Sequence, residues 1–234
     1  MPGVEKNYDL AFELREQGWN SLIFHYRGCW GSEGLFTFRT IPADVENAVA
    51  ELCSGRYPQI DQHRLVLIGH SLGGWAAVLV GARDTRVKAV IAIAPIAVPG
   101  DFPVTIESAT HRFCPWLPGC SPQSFFDQWN SLDPALTPVN EANRIAPRPL
   151  LILHGGRDEL VSVAHSQALY AKAGKPKELV IHPDGNHSLV WQRPWLRKTI
   201  LDWLHKVDDG SPGCGLTRRT EPSINQSKGK DLLA

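Results

Sequence analysis

Arg64-Leu65-Val66-Leu67-Ile68-Gly69-His70-Ser71-Leu72-Gly73 is the stretch on which the fold of this chain turns. Its aliphatic run has the make-up of a strand buried on both faces. Gly-x-Ser-x-Gly follows at once, and an Ala-rich helix follows that, from Trp75 to Arg83. The five-residue string alone is a weak signal. Between a buried strand and a helix it becomes the signature of a strained turn that exposes a serine hydroxyl. Gly69 and Gly73 remove Cβ atoms that would crowd neighbouring backbone in so tight a turn. The helix aims the positive end of its dipole at Ser71, and the N–H of Leu72 can donate to a developing oxyanion.

Working outward, the rest of the chain supplies more strands and helices in alternation. Residues 7–17 read as an amphipathic helix with Leu10, Ala11 and Leu14 on one face, ended by Gly18. Residues 21–26 read as a strand, followed by the Gly-rich loop Arg27-Gly28-Cys29-Trp30-Gly31-Ser32-Glu33-Gly34. Residues 44–53 form a second helix, with Val45, Ala48, Val49 and Leu52 at helical spacing. Strands are expected at 87–94, 150–154 and 179–182, and helices at 163–173 and 195–206. Residues 96–147 break the rhythm with prolines and aromatics, and read as an inserted cap of short helices. Its aromatics either line a pocket or form the cap's own core. The residues after 206 are Gly, Ser, Pro and charge, the composition of a disordered tail.

Aliphatic strands alternating with helices predict an α/β fold: a mostly parallel sheet of about five strands, covered on both faces. The 234 residues suffice for one such core. Lys plus Arg (24) balances Asp plus Glu (24), so no basic stripe points to nucleic acid. No apolar run nears the roughly 20 residues that cross a bilayer, and the N-terminus lacks the apolar segment of a signal peptide. With Cys29, Cys53, Cys114, Cys120 and Cys214 forming no Cys-x-x-Cys pair, reduced thiols in the cytoplasm are expected.

Parallel sheets place their sites at the carboxyl ends of strands. Ser71 follows the strand ending near 68, Asp158 the strand 150–154, and His187 the strand 179–182. Three separate stretches thus bring Ser, Asp and His to one edge. His187 is the expected general base, and Asp158 the carboxylate that sets its tautomer. Glu159 is the neighbouring alternative to Asp158. His70 and His154 belong to the motif frames, and no cluster has metal-ligand spacing, so neither metal nor cofactor is expected. Arg27 is expected to pair with a carboxylate, and Trp30 and Trp75 to pack.

Gly69-His70-Ser71-Leu72-Gly73-Gly74, His154-Gly155-Gly156-Arg157-Asp158 and Gly185-Asn186-His187-Ser188 together resemble the α/β-hydrolase fold. Tyr26-Arg27-Gly28 with the glycines after it resembles the loop after an early strand of that fold. The resemblance covers about residues 4–206, the core with its insertion at 96–147. It is closest to the prolyl-oligopeptidase-like and dienelactone-hydrolase-like serine hydrolases. It implies a Ser71–His187–Asp158 triad, Leu72 as oxyanion donor, and an acyl-enzyme. The implied substrate is an ester, thioester or amide of a small acyl compound or peptide.

The chain departs from that pattern at its start. In the fold a further strand lies between those ending at 26 and 69, and its loop supplies the second oxyanion donor in a His-Gly-rich stretch. Met1-Pro2-Gly3-Val4 resembles only the end of such a loop. The expectation is an N-terminally incomplete hydrolase core with apolar surface exposed beside residues 64–69. Tyr26 and the backbone near Arg27 and Gly28 are the first places to look for the other donor. A catalytically weak hydrolase-fold protein with a binding role is the second reading.

Overall fold

The computed structural model describes residues 7–208. Four strands form one all-parallel sheet in the order β1 (Leu65–His70), β2 (Val87–Ile93), β3 (Leu150–Gly155) and β4 (Lys177–His182). Every connection between them carries helix, as parallel pairing requires. The pleat sorts the side chains of β2 and β3 to two faces. Ala89, Ile91, Ile93, Leu151 and Leu153 pack against α1 (Tyr8–Glu16) and the C-terminal helix Arg193–Asp208. Val90, Ala92, Leu150 and Ile152 pack on the other face with α2 (Ile41–Leu52), α3 (Leu72–Arg83) and the helix Val163–Lys172. The α/β class and the helices on both faces follow from the alternation read in the sequence.

Among the described residues four strands are paired, where the sequence suggests about five. Residues 21–26 have the composition of a strand but make no ladder, and Leu22, Ile23 and Phe24 stay exposed. A strand is defined by its partner, and nothing among the described residues pairs with this segment. Among the described residues the edge of β1 away from β2 is likewise unpaired, and an apolar groove runs between the two, lined by Leu22, Phe24, Leu65 and Leu67 among others.

Within residues 96–147 the longest element is the helix Pro122–Asn130, capped by the Ser121 hydroxyl accepting from the Ser124 N–H at 3.1 Å. Phe102, Phe125 and Trp129 bury their rings together with Phe36 and Phe38. These aromatics therefore form a core. Trp75 is fully buried, its indole N–H donating to the Leu136 carbonyl at 2.8 Å. Trp30 stacks on Trp116, and Arg27 binds Asp44 through its Nε at 2.6 Å and its backbone N–H at 3.0 Å. Among the described residues Cys29, Cys53, Cys114 and Cys120 form no disulfide, while Cys214 and the tail expected to be disordered lie outside the described residues. No helix of the described residues is long and apolar enough to cross a membrane.

Candidate active site

β1 delivers Ser71 into a turn with φ 56° and ψ −116°, a conformation that costs a non-glycine residue on the order of 1–3 kcal/mol. The surroundings enforce it. The Ser71 N–H donates to the Ile93 carbonyl at the end of β2 at 2.8 Å, and its own carbonyl accepts from Trp75 N–H at 3.0 Å. Ser71 is part-exposed. Leu72 opens α3, so its N–H is among those that helix geometry leaves without an intrahelical partner.

Asp158 lies in the turn after β3, its side chain fully buried. Oδ1 accepts from the backbone N–H groups of Leu160 at 2.9 Å and Val161 at 2.8 Å. Oδ2 is left for His187, whose Nδ1 stands 2.7 Å away. The turn-forming role of an aspartate and the gripping of a histidine are thus shared between two oxygens of one residue. Burial alone would raise this carboxyl's pKa, but hydrogen bonds from His154 and His187 prevail and hold it well below the usual carboxylate range. Glu159, by contrast, points to solvent.

His187 sits in the loop after β4, which is tied to the loop after β3. Gly156 N–H donates to the His182 carbonyl at 2.7 Å and Arg157 N–H to the Gly185 carbonyl at 2.8 Å. Leu189, fully buried, anchors the loop's end. The structure therefore joins Asp158 to His187 directly. Ser71 and His187 are not hydrogen-bonded to each other; the link between them is His70, whose ring lies 4.7 Å from that of His187. Apo sites often hold this contact long, and it closes only around substrate.

Two histidines set aside in the sequence support this arrangement. His154 is fully buried, its Nε2 2.9 Å from the Val161 carbonyl and 3.2 Å from Asp158 Oδ2, and its Nδ1 2.6 Å from the Ser166 hydroxyl. Its signal was its place at the end of β3, four residues before Asp158. His70 donates from Nε2 to the His187 carbonyl at 2.7 Å, which fixes both its tautomer and the His187 backbone. His182 lies within β4 with its ring edge-on to Trp195, away from this constellation.

Burial, followed by the charge of His187, pushes the His70 pKa down to about 4. The sign of its effect on stability follows. The unfolded chain takes up a proton near pH 6.5, and the folded protein does not until about pH 4. Stability contributed by neutral His70 is therefore complete above pH 6.5 and declines as pH falls toward 4. Urea unfolding should show a loss of about 1–2 kcal/mol from this group between pH 7 and pH 5, flattened in His70→Gln. An unchanged slope in that variant would remove His70 as its source.

A four-stranded parallel core, sandwiched by helices and carrying its polar cluster at the strands' carboxyl ends, has the α/β-hydrolase fold. Solved structures agree on the fold. The α/β hydrolase GrgF from Penicillium sp. sh18 superposes with a TM-score of 0.70 at 20% identity, covering 88% of this chain and 86% of that one. The Pyrococcus furiosus esterase PF2001 gives 0.65 at 22% identity, covering 83% and 73%. The chain belongs to the prolyl oligopeptidase family, whose model matches residues 13–209. Among curated relatives, the uncharacterized protein YfhR of Escherichia coli K12 is 28% identical over 186 residues, 79% of this chain and 58% of its own length. The α/β-hydrolase domain-containing protein WAV2 of Arabidopsis thaliana is 31% identical over 197 residues, 80% and 61%. The chain thus spans somewhat over half the length of the curated relatives it matches.

Proposed function

We propose that this protein is a serine hydrolase that cleaves an ester, thioester or amide of a small acyl compound or peptide. The observation that carries this reading is the 2.7 Å contact between His187 Nδ1 and a buried, ionised Asp158, at the same sheet edge as the strained Ser71. Asp158 accepts from Nδ1–H, which leaves Nε2 of His187 as the basic nitrogen. Nε2 takes the Ser71 proton as Oγ attacks the acyl carbon. The same proton then goes to the leaving group, and water repeats the cycle on the acyl-enzyme. Leu72 N–H donates to the oxyanion. Membership of a hydrolase family and the esterases among its structural neighbours support the reaction class.

The second reading, a hydrolase-fold protein of low activity that binds rather than cleaves, draws on the missing hydrogen bond between Ser71 and His187. A fluorophosphonate separates the two. It phosphonylates only a serine that a working base activates, with fluoride as the leaving group. We expect one adduct, mapped by peptide mass spectrometry to Ser71. A folded sample with no adduct at Ser71 would favour the second reading.

A further inference from the structure

Behind Asp158 lies a buried imidazole that the chemistry proposed for Ser71 does not use. His154 stands in β3 with its ring wholly out of solvent, and both of its nitrogens have partners. Nε2 is 2.9 Å from the Val161 carbonyl and 3.2 Å from Asp158 Oδ2. A carbonyl and an ionised carboxylate can only accept, so Nε2 carries the proton. Nδ1 is then the acceptor, and the Ser166 hydroxyl, buried in the helix Val163–Lys172, donates to it across 2.6 Å. The neighbouring His165 is a contrast. Its Nδ1 accepts from Val98 N–H at 3.1 Å, and its ring bonds the Asp101 backbone. His165 thus ties main chain to main chain. His154 aims its proton at the carboxylate that faces His187.

That proton has two effects. The first is on geometry. Leu160 N–H and Val161 N–H hold Oδ1, and His154 holds Oδ2, so the carboxylate plane is fixed from both sides without help from His187. The second is on charge. Burial favours the protonated carboxyl, and the bond from His154, with that from His187, keeps it ionised instead. A donor already on Oδ2 also draws off part of the charge that His187 meets across 2.7 Å. We propose that His154, steadied by Ser166, is a positioning residue for Asp158, fixing Oδ2 towards His187 and tempering the charge it presents there. The inference rests on the reading of Ser71, His187 and Asp158 as the catalytic groups. His154 exchanges no proton and touches no substrate. Its Nε2–H stays whole while the Ser71 proton passes to His187 and on to the leaving group. Without that donor, Oδ2 would hold the protonated His187 more tightly, and a base held protonated works only at higher pH.

The test compares His154→Leu with His154→Gln in the full chain, following kcat/KM for a short nitrophenyl ester across pH. Leucine removes the donor, whereas the glutamine amide can offer an N–H to the same acceptors. In His154→Leu the midpoint of the acid limb should rise by about one pH unit. Its kcat at the plateau should fall about 10–10²-fold through lost orientation, with KM changed less than about twofold. His154→Gln should return the limb to its wild-type position. A merely structural histidine would lower the urea midpoint of both variants and leave the limb where it was. An unmoved limb in folded His154→Leu, with Ser71→Ala inactive, overturns the role of His154 and leaves the hydrolase reading standing. A glutamine variant no better than the leucine one also overturns it, since packing and not the donor would then matter. A wild type no faster than Ser71→Ala overturns both. Should His154→Leu fail to fold, nitrogen-15 NMR of the wild type replaces it. The Nε2 proton signal of His154 should shift over the pH range of the acid limb, because His154 and His187 share one oxygen. A signal that stays fixed through that range overturns the inference.

Discussion

Asp158→Asn is expected to lower ester hydrolysis by about 10⁴-fold while the protein remains folded. The two oxygens of Asp158 have different work, and the substitution separates them. Asparagine keeps Oδ1, so the turn can retain its bonds from Leu160 and Val161 N–H at 2.9 and 2.8 Å. The change falls on the other side, where an NH₂ replaces the oxygen 2.7 Å from His187 Nδ1. A donor there turns Nδ1 into an acceptor and moves the imidazole proton to Nε2. Nε2, the nitrogen that takes the Ser71 proton in the proposed mechanism, can then no longer do so. The amide also meets the Nε2–H of His154, 3.2 Å from the present oxygen, and some stability, about 1–3 kcal/mol, should be lost there. The measurement is kcat at neutral pH beside a urea unfolding curve for both proteins. A folded variant within tenfold of wild type would show that His187 is not held by this carboxylate for catalysis.

The sequence carries the position of each of these residues along the sheet, and the reason is local. Ser71, Asp158 and His187 each follow a strand, and the carboxyl ends of parallel strands share one edge. Strand composition and sequence spacing therefore suffice to put all three after strands of the one sheet. What escaped depends on partners. The run at 21–26 has strand composition, but pairing is a property of two segments, and its apolar side chains carry no record of whether a second one lies alongside. His70 and His154 looked like frame residues because a lone histidine does not say what it will face. One steadies the His187 backbone, and the other shares the Asp158 carboxylate. The two motif glycines also proved unequal: both were expected to be demanded by crowding, and only one is.

That inequality yields the largest expected loss of stability. A Cβ on Gly69 would lie 2.0 Å from the Gly73 carbonyl oxygen, 2.3 Å from its carbon and 2.7 Å from Gly74 N. All three are backbone atoms of the first turn of α3, so no side-chain rotation can relieve the clash. The turn cannot retreat either. Ser71 N–H is held to β2 at 2.8 Å, Trp75 N–H to the Ser71 carbonyl at 3.0 Å, and the Trp75 indole to Leu136 at 2.8 Å. Gly69→Ala must therefore lift α3 from the sheet or pull β1 from β2. We expect a loss of about 4 kcal/mol or more, a large part of the roughly 5–15 kcal/mol that holds a domain folded. Gly73 differs by four residues and one environment. It sits in the helix at an ordinary φ, and a Cβ there would meet only the Tyr26 hydroxyl at 3.8 Å, a normal contact. Gly73→Ala should raise stability by about 0.5–1 kcal/mol, because alanine has less backbone freedom to lose in a helix. Urea midpoints of the two variants therefore move in opposite directions from wild type. Two glycines that tolerate alanine equally well would mean that β1 and α3 do not approach each other as closely as this turn requires.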